Sequence, residues 1–260
     1  MSKTYGSYLK VDELLELQQL ESEPKEHDEM LFIIIHQTYE LWFKQILHES
    51  EKLRVNLSAG ETWAAAKTLR RILTIMKTLV GQVDILETMT PMEFISFRKF
   101  LDDSSGFQSW QFREVEILCG YRAPQAIEVQ KTVAHRYAQL EKRMAEETFW
   151  ETFIAYLQKR GHAIETPLKV NDRGMVFEPN EANQELLADI IRHDPEASLI
   201  AELFLDLDVG LQEWRYRHVK MVERTIGGKV GTGGSPGAKY LHKTLHLAVF
   251  PDLWAVRNHL

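Results

Sequence analysis

Apolar residues recur along this chain with a helical period almost throughout. In "EHDEMLFIIIHQTYELWFKQILHESEKLRVNL" they return every three or four positions, and around "LFIII" they cover nearly the whole helix surface, which marks a buried element. Acids lie early and bases late in this stretch, as the helix dipole favours. Gly60 ends it, and "ETWAAAKTLRRILTIMKTLVGQVDILETM" predicts a second long helix. Thr90-Pro91-Met92-Glu93 is a capping box with proline at the first helical position, opening a helix through "FISFRKFL" to about Asp102. After the turn "DSSGFQS", "WQFREVEILCG" and the segments Pro124 to Met144 and Glu146 to Lys159 read as helices. Residues 161–179, with Gly, Pro, Asn and Asp, form the one long irregular connection. Helix resumes at Glu181, and again from Pro195 to about Ile226. "AKYLHKTLHLAVF" and a short segment past Pro251 close the chain, and "VDELLELQQLE" follows a tyrosine-rich N-terminal arm. Nothing alternates as a strand would, and there is no repeat. The expected fold is all-α: residues 1–260 as a single-domain bundle of long helices.

Composition narrows the partners. A net charge of −7 argues against non-specific nucleic-acid binding, and the longest apolar run, "LFIII", is far short of a membrane span. The lone cysteine, Cys119, excludes an intrachain disulfide and a CxxC site and suits a reducing compartment. With no apolar signal region near the start, the expectation is a cytoplasmic protein.

The chemistry must then come from histidines, arginines and one unusual loop. "GGKVGTGGSPGAKY" holds six of the chain's fourteen glycines. It is not a P-loop, because Gly228-Lys229 is followed by Val230 rather than Ser or Thr, and Pro236 spoils a dinucleotide fingerprint. It reads either as a linker between helices or as a loop whose backbone approaches a small ligand closely. His36 sits in the most apolar helix with Phe32 and Phe43 at helical spacing, which reads either as a core histidine bonded to backbone or as the polar tip of a pocket for a flat ligand. His218 shares an apolar face with Leu211, Trp214 and Val222; it is either a satisfied interface histidine or the single axial ligand of a haem, with Arg215, Arg217 and Lys220 nearby to suit propionates. Arg98 shares a face with Phe94, with Leu101 a turn on, and is either paired with a structural acid or free to grip a carboxylate in a bidentate fork. No histidine has a glutamate three residues before it, and HExxH, CxxCH and GxSxG are all absent, so a di-iron site, covalent haem and a hydrolase elbow are excluded.

Six segments, in order along nearly the whole chain, resemble the tryptophan 2,3-dioxygenase family: "YGSYL", "HDEMLFIIIHQTYELWFKQIL", "LETMTPMEFISFRKFL", "SSGFQSWQFRE", "WRYRHVKMV" and "GTGGSPG". The resemblance implies a haem-dependent enzyme that cleaves the indole C2–C3 bond of L-tryptophan with O2, giving N-formyl-L-kynurenine, the first step of tryptophan degradation by the kynurenine route. A haem-dependent aromatic hydroxylase of the same superfamily is the alternative. It implies haem b, one per subunit, non-covalent and ferrous when active, in a homotetramer that binds neither nucleic acid nor membrane. By the same resemblance His218 is the axial iron ligand, His36 the catalytic histidine bonded to the indole N–H, and Phe32, Phe94 and Leu101 are pocket walls. Arg98 is the carboxylate clamp, Gly231 and Thr232 meet the amino-acid end under a loop freed by Gly233 and Gly234, and Ser105 lies near the haem. Tyr5 and Tyr8, in an arm spanning residues 1–10, complete a neighbouring subunit's pocket. Val83 departs from the tryptophan of some bacterial members, and Pro236 from the usual "GTGGSSG".

Overall fold

A computed structural model describes residues 2–123, 125–165, 174–175, 179–232 and 237–260. Three long helices organise them: α3 (His27–Ala59), α4 (Thr62–Leu86) and α11 (Pro195–Ile226). α4 packs against both of the others. Its stripe of Ala65, Leu69, Ile72, Met76, Leu79, Val83 and Leu86 is buried along its length, as the three-four spacing requires. α3 and α4 are joined by Gly60, whose φ of 80° is a conformation that a side chain would oppose. The remaining helices are α1 (Tyr5–Leu9), α2 (Val11–Leu15), α5 (Pro91–Arg98), α6 (Trp110–Leu118), α7 (Gln125–Glu128), α8 (Ala134–Met144), α9 (Phe149–Lys159), α10 (Glu181–His193), α12 (Ala238–Leu241) and α13 (Pro251–Ala255). Among the described residues there is no strand, only an isolated bridge between Tyr121 and Met175. No described helix is long and apolar enough to cross a membrane.

The apolar interior has a main part, a small cluster of Ile117, Ile127 and Leu140 about α6, α7 and α8, and a second smaller part beside the site. The main core joins Leu53 and Leu57 of α3, Leu69 and Ile72 of α4, Trp150, Phe153 and Tyr156 of α9, and Phe204 and Leu207 of α11. A separate cluster of Ile35, Leu86, Met89, Phe94 and Phe97 ties α5 to the early turns of α3 and the end of α4, with Met221 and Ile226 of α11 packed on it. The space between the main core and this cluster is where the site lies.

Three expectations about element boundaries are corrected. The helix expected over "VDELLELQQLE" stops at Leu15; beyond it the Leu17 carbonyl accepts from Gln37 Nε2 (2.9 Å), and the Glu29 carboxylate takes the backbone N–H groups of Glu21 (2.8 Å) and Ser22 (3.0 Å). The helix from Thr90 opens on its capping box, Thr90 Oγ1 accepting from Glu93 N at 3.3 Å and Glu93 Oε2 from Thr90 N at 2.6 Å, but tightens after Arg98 into a 3₁₀ turn, Lys99–Leu101. The segment expected from Pro124 to Met144 breaks into α7, a 3₁₀ turn at Val129–Thr132 and α8. Gln130 sits in that turn and donates to the Gln108 carbonyl at 2.6 Å, drawing the chain inward there.

α11 begins on a polar clasp. Asp194 accepts from Ala197 N at 3.0 Å as the helix cap, takes both arms of Arg160 at 2.7 Å, and meets His162 Nε2 at 3.0 Å. Arg160 also reaches Glu196, which accepts from Thr62 Oγ1 at 2.8 Å, so the clasp joins α4, α9 and α11. The Arg160 guanidinium beside it holds the Asp194 carboxyl well below the usual carboxylate range. A depressed folded-state value means that its stabilisation is full above the unfolded carboxylate pKa, about 3.9, and is lost as pH falls towards the folded value. Asp194→Asn is expected to cost about 1–3 kcal/mol, from the lost charge-assisted bonds. Thermal melts should show the gap between wild type and variant constant near neutrality and closing below about pH 4.

Candidate functional site

One cavity of about 250 Å³ opens between the two apolar clusters, and eight of the residues that the resemblance assigns to the site line it: Phe32, His36, Phe94, Arg98, Ser105, His218, Gly231 and Thr232. They come from α3, α5, the turn before α6, α11 and the glycine-rich stretch. Gly233, Gly234 and Pro236 lie outside the described residues.

His36 projects from α3 with its ring against Phe32, centroids 4.1 Å apart, and Phe32 in turn lies 5.8 Å from Phe94. His36 Nδ1 is 2.7 Å from the Phe32 carbonyl oxygen. A carbonyl only accepts, so Nδ1 carries the proton and Nε2 keeps a lone pair. Burial pushes the imidazole's pKa below its ordinary value, against the opposing pull of that carbonyl and of Glu40. The ring is therefore neutral at neutral pH and offers one acceptor. Both readings from the sequence hold together here: the histidine is bonded to backbone, and it also lines a cavity walled by aromatic rings.

His218 lies on α11 and also lines the cavity. Its ring is nearly parallel to Trp214, at 5° and 5.1 Å. Burial, then the charge of His36, then that of Arg113 hold its pKa down to about 4. The imidazole is neutral at pH 7, and among the described residues neither ring nitrogen meets a hydrogen-bond partner. A neutral, unpartnered imidazole on an apolar wall is a donor fit for a metal, and the fit extends to a haem. Phe112, Trp214, Val219 and Val222 supply apolar surface, while Arg113 and Arg215 bring cationic groups to the same walls. Of the three bases that the sequence placed round this helix, only Arg215 faces inward. Arg217 is paired with Asp84 (2.5 Å) and Glu87 (3.1 Å), and Lys220 with Glu223 (2.8 Å), because the 3.6-residue turn carries both to the outer side.

Arg98 has no carboxylate partner among the described residues. Its Nη2 donates instead to the Val230 carbonyl at 2.5 Å, tying α5 to the start of the glycine-rich stretch beside Gly231 and Thr232. Ser105 Oγ accepts from Phe107 N at 3.4 Å and so caps the turn through which Gly106 and Phe107 reach the cavity. Leu101 does not line the cavity. It follows Arg98 through a 3₁₀ turn and packs on the smaller apolar cluster, beside Phe94 and Phe97. Tyr5 and Tyr8, 78% and 68% exposed, lie on α1 away from their own chain's cavity. Val83 is buried in the α4 stripe and is not a lining residue.

The sequence reading did not single out Tyr39, Glu40, Phe107, Arg113 and Glu116, which also line the cavity. Tyr39 donates to the Leu79 carbonyl at 2.9 Å, and burial pushes its hydroxyl up to about 12. Arg113 and Glu116 carried a usable signal: two opposite charges three apart in "FREVEIL", a helix whose other residues are mostly apolar, mark an ion pair taken inside.

The family model described as "Tryptophan 2,3-dioxygenase" matches residues 1–173 and 138–260. Curated relatives named tryptophan 2,3-dioxygenase include one from Herpetosiphon aurantiacus, 52% identical over 257 residues and covering 99% of this chain and 98% of its own. One from Anaeromyxobacter dehalogenans is 51% identical over 258 residues (99% and 96% of the two chains), and one from Nocardioides sp. is 44% identical over 262 residues (99% and 94%).

Proposed function

The chain belongs to the tryptophan 2,3-dioxygenase family, and on that premise we propose how its own residues carry the cleavage of L-tryptophan by O2 to N-formyl-L-kynurenine. The observation that carries the reading is that His36 and His218, far apart in sequence, line one cavity together with Arg98 and Thr232. His218 would hold haem b by its free ring nitrogen, without covalent attachment. The ferrous haem, when bound, supplies the O2 activation.

The rest is done by side chains. The substrate carboxylate takes the guanidinium of Arg98, in place of the Val230 carbonyl that Arg98 holds here. Thr232 and the Gly231 backbone meet the ammonium end. Phe32 and Phe94 enclose the indole, and its N–H donates to Nε2 of His36, the one acceptor that the ring leaves available. With both ends fixed, the indole C2–C3 bond is presented to the iron side of the cavity, and positioning of this kind is worth several kcal/mol of barrier. His36 orients the ring and does not have to remove a proton, because an indole N–H is a very weak acid. His36→Ala is therefore expected to keep measurable turnover, losing about 1–3 kcal/mol in kcat/KM, the cost of a buried N–H left without its acceptor. A variant that still binds haem and tryptophan but is wholly inactive would make His36 an obligatory base.

The reading takes the chain as one haem dioxygenase domain, cytoplasmic and homotetrameric. Its support is the exposure of Tyr5 and Tyr8, which suits an arm seated on a neighbouring subunit, and the single buried Cys119, whose thiol burial pushes up to about 12. Turnover under isotopically labelled O2 separates this reaction from hydroxylation. Ring-opened product carrying both labelled atoms supports the proposal, whereas a hydroxylated tryptophan carrying one contradicts it.

A further inference from the structure

The His218 side of the cavity contains buried charge that the steps above do not use. Arg113 of α6 is 7% exposed and Arg215 of α11 is 5% exposed; both are lining residues. Glu116 joins them, its Oε2 paired with Arg113 Nη1 and its Oε1 3.6 Å from Arg215 Nη2. Arg215 Nη1 also donates to the Leu247 carbonyl at 3.2 Å. The Nε atoms of both arginines are buried and meet no partner among the described residues. Two guanidinium groups thus share one carboxylate.

The other carboxylates nearby are engaged elsewhere. Asp208, two turns before Arg215 on α11, is taken up by Val249 N (2.8 Å), Phe250 N (3.0 Å), Trp254 Nε1 (2.9 Å) and Gln212 (2.8 Å). Glu40, on the His36 helix, accepts from Gln111 at 2.8 Å.

The positive charge is linked to His218 through a continuous run of ring contacts. The Arg113 guanidinium lies 5.6 Å from the Phe112 ring centroid, Phe112 lies 4.7 Å from Trp214, and Trp214 lies parallel to His218. A simple structural pair would be complete with Arg113 and Glu116 alone. A second buried arginine with an unpartnered nitrogen is costly, and it leaves one buried positive charge here without a carboxylate of its own.

We propose that Arg113, held by Glu116 beside Arg215, is a positioning residue that stabilises the ferrous state of the haem ligated by His218. The inference rests on the reading of His218 as the axial ligand. Reduction lowers the charge at the iron by one. A fixed positive charge on the ligand's side, poorly screened because it is buried, repels the ferric state more than the ferrous one.

The test is a spectroelectrochemical titration of the haem-loaded protein without tryptophan, in wild type, Arg113→Gln, Arg113→Lys and Glu116→Gln, with circular dichroism confirming the fold. Arg113→Gln is expected to lower the ratio of reduced to oxidised haem about tenfold at fixed potential, about 59 mV for one electron. Arg113→Lys should retain most of the wild-type value, and Glu116→Gln should shift it upward. An unmoved or raised potential in Arg113→Gln, or an equal shift in the lysine variant, overturns the proposal. Should Arg113→Gln fail to fold or hold haem, Glu116→Gln decides, an unmoved or lowered potential being the contrary result. A haem spectrum unaltered by His218→Ala would instead show that the ligation reading has failed.

Discussion

Replacing His218 by alanine is expected to leave a folded protein that does not retain haem and has no measurable dioxygenase activity. The fold should survive because the ring makes no hydrogen bond among the described residues, and its main packing partner, Trp214, stays anchored on α11. The neighbouring residues Trp214 and Val219 are buried on the same helix. The loss of cofactor follows from the same facts: no other histidine besides His36 lines the cavity, and His36 has committed Nδ1 to the Phe32 carbonyl. Helical content by circular dichroism and haem content after gel filtration separate the two effects. Added imidazole should restore part of the ligated spectrum by filling the space left on the helix. Full haem retention by the alanine variant would place the ligand elsewhere.

Arg98→Ala is expected to weaken tryptophan binding by about 2–5 kcal/mol, the range for removing one partner of a buried charged pair. The reason lies in what Arg98 lacks. With no carboxylate from the protein among the described residues and only the Val230 carbonyl to hold, its fork is available to an incoming carboxylate. Tryptamine, which has the indole and the amine but no carboxylate, isolates this contact. Wild type should prefer tryptophan over tryptamine strongly, and Arg98→Ala should bind the two nearly alike. A variant that still discriminates as wild type does would remove Arg98 from the clamp. Lysine should not rescue it fully, since a point charge cannot reproduce the bidentate geometry.

The elements were legible in the sequence where local signals agreed. The three-four spacing of Leu69, Ile72, Met76 and Leu79, the Gly60 stop, and the Thr90–Glu93 box each name a boundary or a face from chemistry within one turn. The errors came where distant residues intervene: Glu29 capturing the backbone of Glu21 and Ser22, and Gln130 reaching back to Gln108. The site divides in the same way. His36 and His218 could be seen as polar residues on apolar faces, but nothing in either helix's own pattern says that they share a cavity. That pairing came from resemblance, and the long helices α3 and α11 produce it by converging on α4. Leu101 shows the limit of face arguments, since it follows Arg98 by one turn and yet packs on the smaller apolar cluster without lining the cavity. Arg113 and Glu116 went unremarked because a charged pair in a helix ordinarily means a solvated face, and the apolar residues around it were the only local sign that this pair is inside.

The central claim is that this cavity joins a His218-ligated haem to L-tryptophan for ring cleavage. Its most direct test is the absorption spectrum of the haem-loaded protein, reduced, in air, before and after adding L-tryptophan, with the product followed in the same cuvette. The account predicts a histidine-ligated haem spectrum that responds to tryptophan, and steady accumulation of N-formylkynurenine. A histidine-ligated spectrum that tryptophan leaves unchanged, with no product formed, would contradict it.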